Sequence, residues 1–189
     1  NIFFSADDGI NGIELWKTNG FGLGTTIVKD INSGSNSSNP AELTLVNNTL
    51  YFTAYDSTTS ATELFQSDGT NMGTTILSSD VNYPELLTAI GDKLFFSAHP
   101  ETFIINDMGV LWNSDGTNSG TGMIDYNIIP IQIITSEDLF YIIDYNFGTE
   151  DYQLVSYDGT TSIVDSGVGV ENVALIGDTL FYTRGNNLH

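Results

Sequence analysis

Cysteine is absent from this chain of 189 residues, which excludes disulfide bonds and thiolate metal sites. Basic residues are nearly absent as well: four lysines and arginines stand against 24 acidic residues, and the net charge is −20. Nucleic acids and anionic membrane surfaces are bound by clustered lysine and arginine, so this composition argues against both as partners. No apolar run approaches the roughly 18 residues that a membrane-spanning helix needs, so we expect no membrane span.

Helical periodicity and catalytic motifs are missing too. No segment places apolar residues at helical spacing over several turns. The two histidines, His99 and His189, are not part of a recognisable nucleophile–base motif, and no phosphate-binding or dinucleotide-binding loop occurs. We therefore predict a non-catalytic protein. Hydrophobic residues still make up 40% of the chain, which is enough for one domain with a substantial core.

What the sequence does contain is a repeat of about 45 residues. Its most visible part is a strand-like segment, a glycine-rich turn and a second strand-like segment, at 14–31, 63–81, 110–126 and 153–165. An aromatic segment precedes each of these units. We align the aromatic segments on Phe4, Phe52, Phe96, Tyr141 and Tyr182, with steps of 48, 44, 45 and 41 residues. The repeats then run approximately over 1–48, 49–92, 93–138 and 139–178, and a fifth begins at 179–189.

Each repeat supplies four short segments that are rich in β-branched and aromatic residues and bounded by Gly, Asn, Asp or Ser, which is typical of strands. Tight hairpins are predicted at Asn47-Asn48-Thr49, Gly91-Asp92-Lys93 and Glu137-Asp138. The aromatic segments are continuously apolar, so we expect both faces of each sheet to be buried. The pattern predicts an all-β protein, a β-propeller of four-stranded antiparallel blades. About four blades are present, as a piece of a larger propeller or repeat array.

In these residues the chain resembles the bacterial ELWxxDGT repeat proteins. The first repeat matches closely, in Phe3-Phe4-Ser5-Ala6-Asp7-Asp8-Gly9, Glu14-Leu15-Trp16 and Val28-Lys29-Asp30-Ile31. The later repeats keep Asp-Gly-Thr at 68–70, 115–117 and 158–160. The resemblance implies a propeller-like protein that is secreted by a bacterium or attached to its surface, in a family mostly without an assigned activity.

Two classes of function follow from this. The leading hypothesis is an extracellular or cell-surface scaffold that acts in adhesion or assembly. Its partners would be other protein subunits or surface polysaccharide, with self-assembly through open strand edges as one route. The alternative is a carbohydrate-binding or glycan-hydrolysing propeller domain of a larger secreted protein. Hydrolysis would need two carboxylates about 5–10 Å apart, and binding would need exposed aromatic rings.

One candidate metal site stands out, the acidic loop of the first repeat. Asp7, Asp8, Asn11 and Glu14 offer carboxylate and amide oxygens of the kind that calcium prefers, although their spacing is not that of an EF-hand. The alternative is a solvated turn between two strands. The Asp-Gly-Thr turns are interpreted as structural, because Gly supplies positive φ and the Asp and Thr oxygens satisfy local N–H groups.

The tryptophans form the other candidate site. Trp16 and Trp112 share a repeat position with Phe65 and Val155. Substitution by Phe and Val is typical of a core position, whereas an exposed ring would be a platform for a sugar.

Overall fold

The computed structural model describes residues 1–100, 108–135, 140–166, 169–177, 179–185 and 187–188. These residues contain no helix and form antiparallel sheets, so the all-β prediction is confirmed. Within each sheet the strands pair in the order in which they follow one another along the chain. Glu137, Asp138 and His189, which entered the sequence predictions, lie outside the described residues.

The described residues form five sheets, which follow one another along the chain. The first contains β1 (Ile2–Asp7), β2 (Ile13–Thr18) and β3 (Thr26–Lys29). The second contains β4 (Ala41–Val46), β5 (Thr49–Asp56), β6 (Ala61–Ser67) and β7 (Thr75–Ile76). The third contains β8 (Val81–Ile90), β9 (Lys93–Pro100), β10 (Val110–Ser114) and β11 (Gly122–Asp125). The fourth contains β12 (Pro130–Thr135), β13 (Phe140–Asn146), β14 (Asp151–Tyr157) and β15 (Thr161–Asp165). The described part of the fifth contains β16 (Val170–Ile176), β17 (Thr179–Arg184) and β18 (Asn187–Leu188).

The predicted hairpins are confirmed in the second and third sheets. Val46 pairs with Thr49 and Ile90 with Lys93, so each loop has two residues. The first loop residue has positive φ in both cases, 54° at Asn47 and 58° at Gly91. Asn and Gly tolerate this backbone conformation, which is why they mark the hairpins in the sequence.

Successive sheets pack face to face, and the alternation of side chains along a strand assigns each residue to one neighbour. In β5, Leu50 and Phe52 pack with Leu15 of the first sheet, whereas Tyr51 between them packs with Phe96 of the third. A further core joins the third sheet to the fourth. The fifth sheet contacts the fourth through β16. The second and third sheets therefore bury both faces, which is why their aromatic strands read as continuous apolar runs.

The strand register corrects the alignment of the fourth repeat. Trp16 is paired with Phe4, and Trp112 with Phe96. Their counterpart Val155 is paired with Ile142, whereas Tyr141 lies opposite Ser156. The alignment on Tyr141 is therefore wrong by one residue. Side chains alternate between faces, so a shift of one residue moves a side chain to the other side of the sheet; the fully buried core residue is Ile142.

Candidate functional site

The four predicted calcium ligands lie in two places. Asp7 ends β1, and Asp8 and Asn11 lie in the loop that follows it. There Asp8 Oδ1 accepts the N–H groups of Ile10 and Asn11 at 2.9 and 2.8 Å, and Asp8 Oδ2 accepts the Asn11 side-chain amide at 2.8 Å. These hydrogen bonds, that of the Asn11 backbone first, lower the pKa of Asp8. Within the described part of the chain, no group of three or more His, Asp or Glu side chains converges on a possible metal position. Calcium binding therefore stays a prediction.

Glu14, the fourth predicted ligand, is directed away from this loop into the boundary between the first and second sheets. Its side chain is fully buried. Its carboxylate accepts the backbone N–H groups of Ile31, Asn32 and Ser38 at 3.2, 3.3 and 3.1 Å, and also the Ser38 hydroxyl. Glu14 thus fixes both ends of the segment that leads from β3 to β4. This role was missed by sequence reasoning, which considered Glu14 only as a metal ligand.

In the fourth sheet, a different pair of residues holds the segment that connects it to the preceding sheet. Gln153 stands at the repeat position of Glu14, and its amide donates to Asp144 Oδ2 at 2.6 Å. The other Asp144 oxygen accepts the N–H of Ile129, in the segment entering β12, at 2.6 Å. Burial raises the pKa of Asp144, the hydrogen bonds from Gln153 and Ile129 oppose this rise, and the charge of Asp125 adds to it. A buried carboxylate again holds the segment between two sheets.

The Asp-Gly-Thr turns are closed by their own hydrogen bonds. Asp68 Oδ1 accepts both the hydroxyl and the N–H of Thr70, at 2.7 and 2.8 Å. These two bonds hold the pKa of Asp68 below its ordinary value. The turn of the third sheet repeats the arrangement between Asp115 and Thr117, at 2.7 and 2.9 Å. The polar groups that make this motif conspicuous in the sequence are therefore engaged within the turn, as the structural interpretation expects.

The same turns also carry contacts between sheets. Gly69 has a φ of 86°, and a Cβ atom there would lie 3.0 Å from the ring of Phe3 in the first sheet. A Cβ on Gly116 would lie 2.5 Å from the hydroxyl of Tyr51 in the second sheet. Lys17 Nζ of the first sheet donates to the Gly69 carbonyl at 2.6 Å. Each of these glycines thus accommodates an aromatic side chain of the preceding sheet.

The tryptophan position is a core position in the interior of the array. Trp112 is 6% exposed, is stacked with Phe96, and donates its Nε1–H to the Ala98 carbonyl at 3.1 Å. Phe65 and Val155 are buried as well. Trp16 is half-buried in the first sheet. The core interpretation is confirmed for Trp112, so its ring is not an exposed sugar platform.

A pocket of about 630 Å³ lies beside the fourth sheet, between the segment that enters this sheet and the strands β14 and β15. The entering segment contributes residues 126–129, and the loop from β13 to β14 contributes Phe147 and Gly148. The end of β13 contributes Tyr145 and Asn146, β14 contributes Gln153 and Val155, and β15 contributes residues 161–163. This volume is within the range of about 300–1,000 Å³ typical of small-molecule sites.

The lining of this pocket includes aromatic and amide side chains. Tyr126 is 59% exposed and Phe147 is 37% exposed. The ring of Tyr145 meets that of Phe147 at 5.2 Å and 87°. Asn127, Asn146 and Gln153 supply amide groups. Among the described residues that line the pocket, none carries a charge.

The sequence contains a signal for this pocket in the fourth repeat. The fourth repeat has Val155 where the other repeats have Trp16, Phe65 and Trp112. It also lacks the second Gly-Thr of the turn, so that only residues 158–160 connect β14 to β15. A smaller side chain and a shorter turn therefore distinguish the fourth repeat at this pocket.

No protein-family model matches the chain, and no similar sequence was found among curated proteins. The described residues contain no helix long and apolar enough to cross a membrane.

Proposed function

We propose that this chain is a run of β-propeller-like blades in a non-catalytic protein of the bacterial cell surface, where it serves as a scaffold for interactions in adhesion or assembly. The observation that carries the proposal is the series of cores between successive sheets. Each interior sheet is a meander of four antiparallel strands with a neighbour on either face. Blades of a propeller are packed in this way.

The chemistry of the repeated residues supports a scaffold. Glu14 and Asp144 hold the segments between sheets, and the Asp-Gly-Thr turns are engaged in local bonds and in contacts with the preceding sheet. The recurring Asp-Gly-Thr turns thus serve packing, and the surface available for partners lies in the parts that differ between repeats. Other protein subunits and surface polysaccharide are the partners we propose. The surface location rests on the resemblance to ELWxxDGT repeat proteins.

Carbohydrate binding is the second candidate, and the uncharged pocket beside the fourth sheet favours it over glycan hydrolysis. Hydrolysis requires a pair of carboxylates at the sugar. Asp125 and Asp144 come from neighbouring sheets, and the charge of Asp125 adds to the raised pKa of Asp144. The described lining of the pocket, however, consists of neutral side chains. Binding without cleavage is therefore the form of this hypothesis that we retain.

Labelling of intact cells tests the scaffold proposal. An epitope tag on the protein in its native host is expected to be accessible to antibody before lysis, and deletion of the gene is expected to reduce attachment of cells to a surface. A tagged cytoplasmic protein serves as the control for cell integrity. A tag accessible only after lysis, or unchanged attachment of the deletion strain, would contradict the proposal.

A further inference from the structure

The pocket beside the fourth sheet exists because one repeat departs from the others. Trp112 occupies the corresponding place in the third sheet, where its indole is stacked with Phe96 and bonded to Ala98. Val155 is paired with Ile142 at the same position of the fourth sheet, and it lines the pocket. A valine fills much less of this space than an indole. The cavity is therefore a local property of the fourth repeat.

The rings at the mouth favour a ligand with an apolar face. Tyr126 and Phe147 both line the pocket and are both partly exposed. Tyr145 is nearly perpendicular to Phe147, and it also contacts Tyr152 at 5.5 Å. These contacts hold the aromatic cluster in place from one side. Aromatic rings provide large contact area at little cost in conformational entropy, and the Tyr hydroxyl adds a polar end.

Fixed polar groups complement the rings. The Asn146 side chain donates to Gln153 Oε1 at 3.2 Å and accepts the N–H of Gly148 at 2.8 Å. Asn127 donates to Asp125 at 3.1 Å. These bonds restrict the amide groups, so a ligand that hydrogen-bonds to them pays little to order them. Thr161 and Ser162 of β15 also line the pocket.

Charge narrows the class of ligand. The described lining contains no Lys, Arg or His to neutralise a phosphate or carboxylate, and no Asp or Glu to pair with an amine. The chain as a whole has a net charge of −20 and repels anions. A neutral ligand with many hydroxyl groups and an apolar ring face matches both the amides and the aromatic rings.

We infer that this pocket binds a neutral saccharide, with a pyranose ring packed on Tyr126 and Phe147 and its hydroxyls bonded to Asn127 and Asn146. The inference deepens the proposed interaction role by naming a ligand class and a site. It rests on the residues that line the pocket and does not depend on the compartment in which the protein is found.

Calorimetric titration of the purified 189-residue chain with maltotriose, cellotriose and triacetylchitotriose, each at millimolar concentration, tests this site. At least one trisaccharide is expected to bind. Phe147→Ala is expected to weaken that binding at least about tenfold, equivalent to about 1.4 kcal/mol. Phe21→Ala, at a ring that is 77% exposed in the first repeat, is the matched control and is expected to bind as the parent chain does.

Val155→Trp tests the origin of the pocket. It restores the residue found at positions 16 and 112, so the indole is expected to occupy the pocket and abolish binding. The circular dichroism spectrum and urea unfolding curve of this variant report whether it is folded. If it is not folded, the comparison of Phe147→Ala with Phe21→Ala decides whether the pocket is the binding site.

Three outcomes would overturn the inference: no trisaccharide of the three binds, Phe147→Ala binds as well as Phe21→Ala, or tetramethylammonium displaces the sugar, which would indicate a cation site. Failure of surface labelling on cells would contradict the scaffold proposal and leave this binding result intact.

Discussion

At the scale of single residues, Glu14 is a buried carboxylate whose two oxygens are both hydrogen-bonded. Glu14 accepts three backbone N–H groups and one hydroxyl at the boundary of two sheets. A buried carboxylate is costly unless it is paired or hydrogen-bonded. Here the bonds come from a connecting segment, so the same interactions that satisfy the charge also fix the path of the chain.

Replacing Glu14 with Gln is expected to destabilise the protein by about 2–3 kcal/mol, because hydrogen bonds to a charged group are each worth about 1.5–3 kcal/mol and the new NH₂ group would face N–H donors. Urea unfolding followed by circular dichroism measures the difference. Glu85→Gln, at an exposed position, removes the same charge and is expected to change stability by less than about 0.5 kcal/mol. Equal stability of the two variants would contradict the role assigned to Glu14.

The sequence shows that residue 14 is a glutamate, but it does not show in which direction the side chain points. Glu14 was grouped with the acidic loop at residues 7–12 because it lies nearby in the sequence. Glu14 belongs to β2, however, and its partners Asn32 and Ser38 are 18 and 24 residues away. Long-range partners of this kind leave no local pattern. For Val155 the sequence does contain the signal, because valine stands where other repeats have Trp. The pocket that it lines could not be predicted, because the pocket depends on how two sheets pack.

At the scale of elements, the strands were predictable and one register was not. The aromatic runs and the Asn or Gly hairpins identified β5 and β9, because both features follow from local backbone and burial requirements. In the fourth repeat, aromatic identity favoured Tyr141 as the counterpart of Phe96, whereas the pairing selects Ile142. The alternation of faces decides register, and an apolar run on both faces conceals that alternation.

Turn geometry explains the second glycine of the Asp-Gly-Thr hairpins. A Cβ atom on Gly73 would overlap the carboxylate of Asp68, and one on Gly120 would overlap that of Asp115. Each carboxylate is held there by a Thr hydroxyl and N–H. The glycine therefore makes room for the side chain that closes the turn, a requirement unrelated to positive φ.

Gly73→Ala is expected to cost about 1–3 kcal/mol, as overpacking against a fixed neighbour does, since Asp68 must move and lose its bonds to Thr70. Gly22→Ala is the control, because a Cβ at Gly22 meets no atom within 4 Å. Urea unfolding of both variants gives the comparison. A cost at Gly22 equal to that at Gly73 would show that loss of backbone freedom, and not the contact with Asp68, sets the effect.

At the scale of the whole molecule, uncompensated negative charge opposes the packed array. Of the four basic side chains, Lys17 and Lys29 donate to backbone carbonyls of the second sheet. Among the described residues, the ion pair between Arg184 and Asp165 spans 3.8 Å. Two lysines thus join sheets through backbone carbonyls. The cores between sheets must therefore offset repulsion among 24 acidic residues brought together by folding.

Salt is therefore expected to stabilise the protein at neutral pH. Raising sodium chloride from about 0.01 to about 1 M shortens the Debye length from about 30 to about 3 Å and screens this repulsion more in the compact chain than in the unfolded one. A gain of about 1 kcal/mol would raise the unfolding temperature by about 2–4 °C. Calorimetry at about pH 4, where many carboxylates are protonated, should show a smaller effect. Unfolding temperatures in calcium chloride and magnesium chloride at matched ionic strength distinguish general screening from a specific calcium site. If calcium alone raises the unfolding temperature further, and Asp8→Asn abolishes that extra rise, the ion binds in the loop after β1. An unfolding temperature that does not rise with salt would mean that the acidic surface is spread widely enough for repulsion not to limit stability.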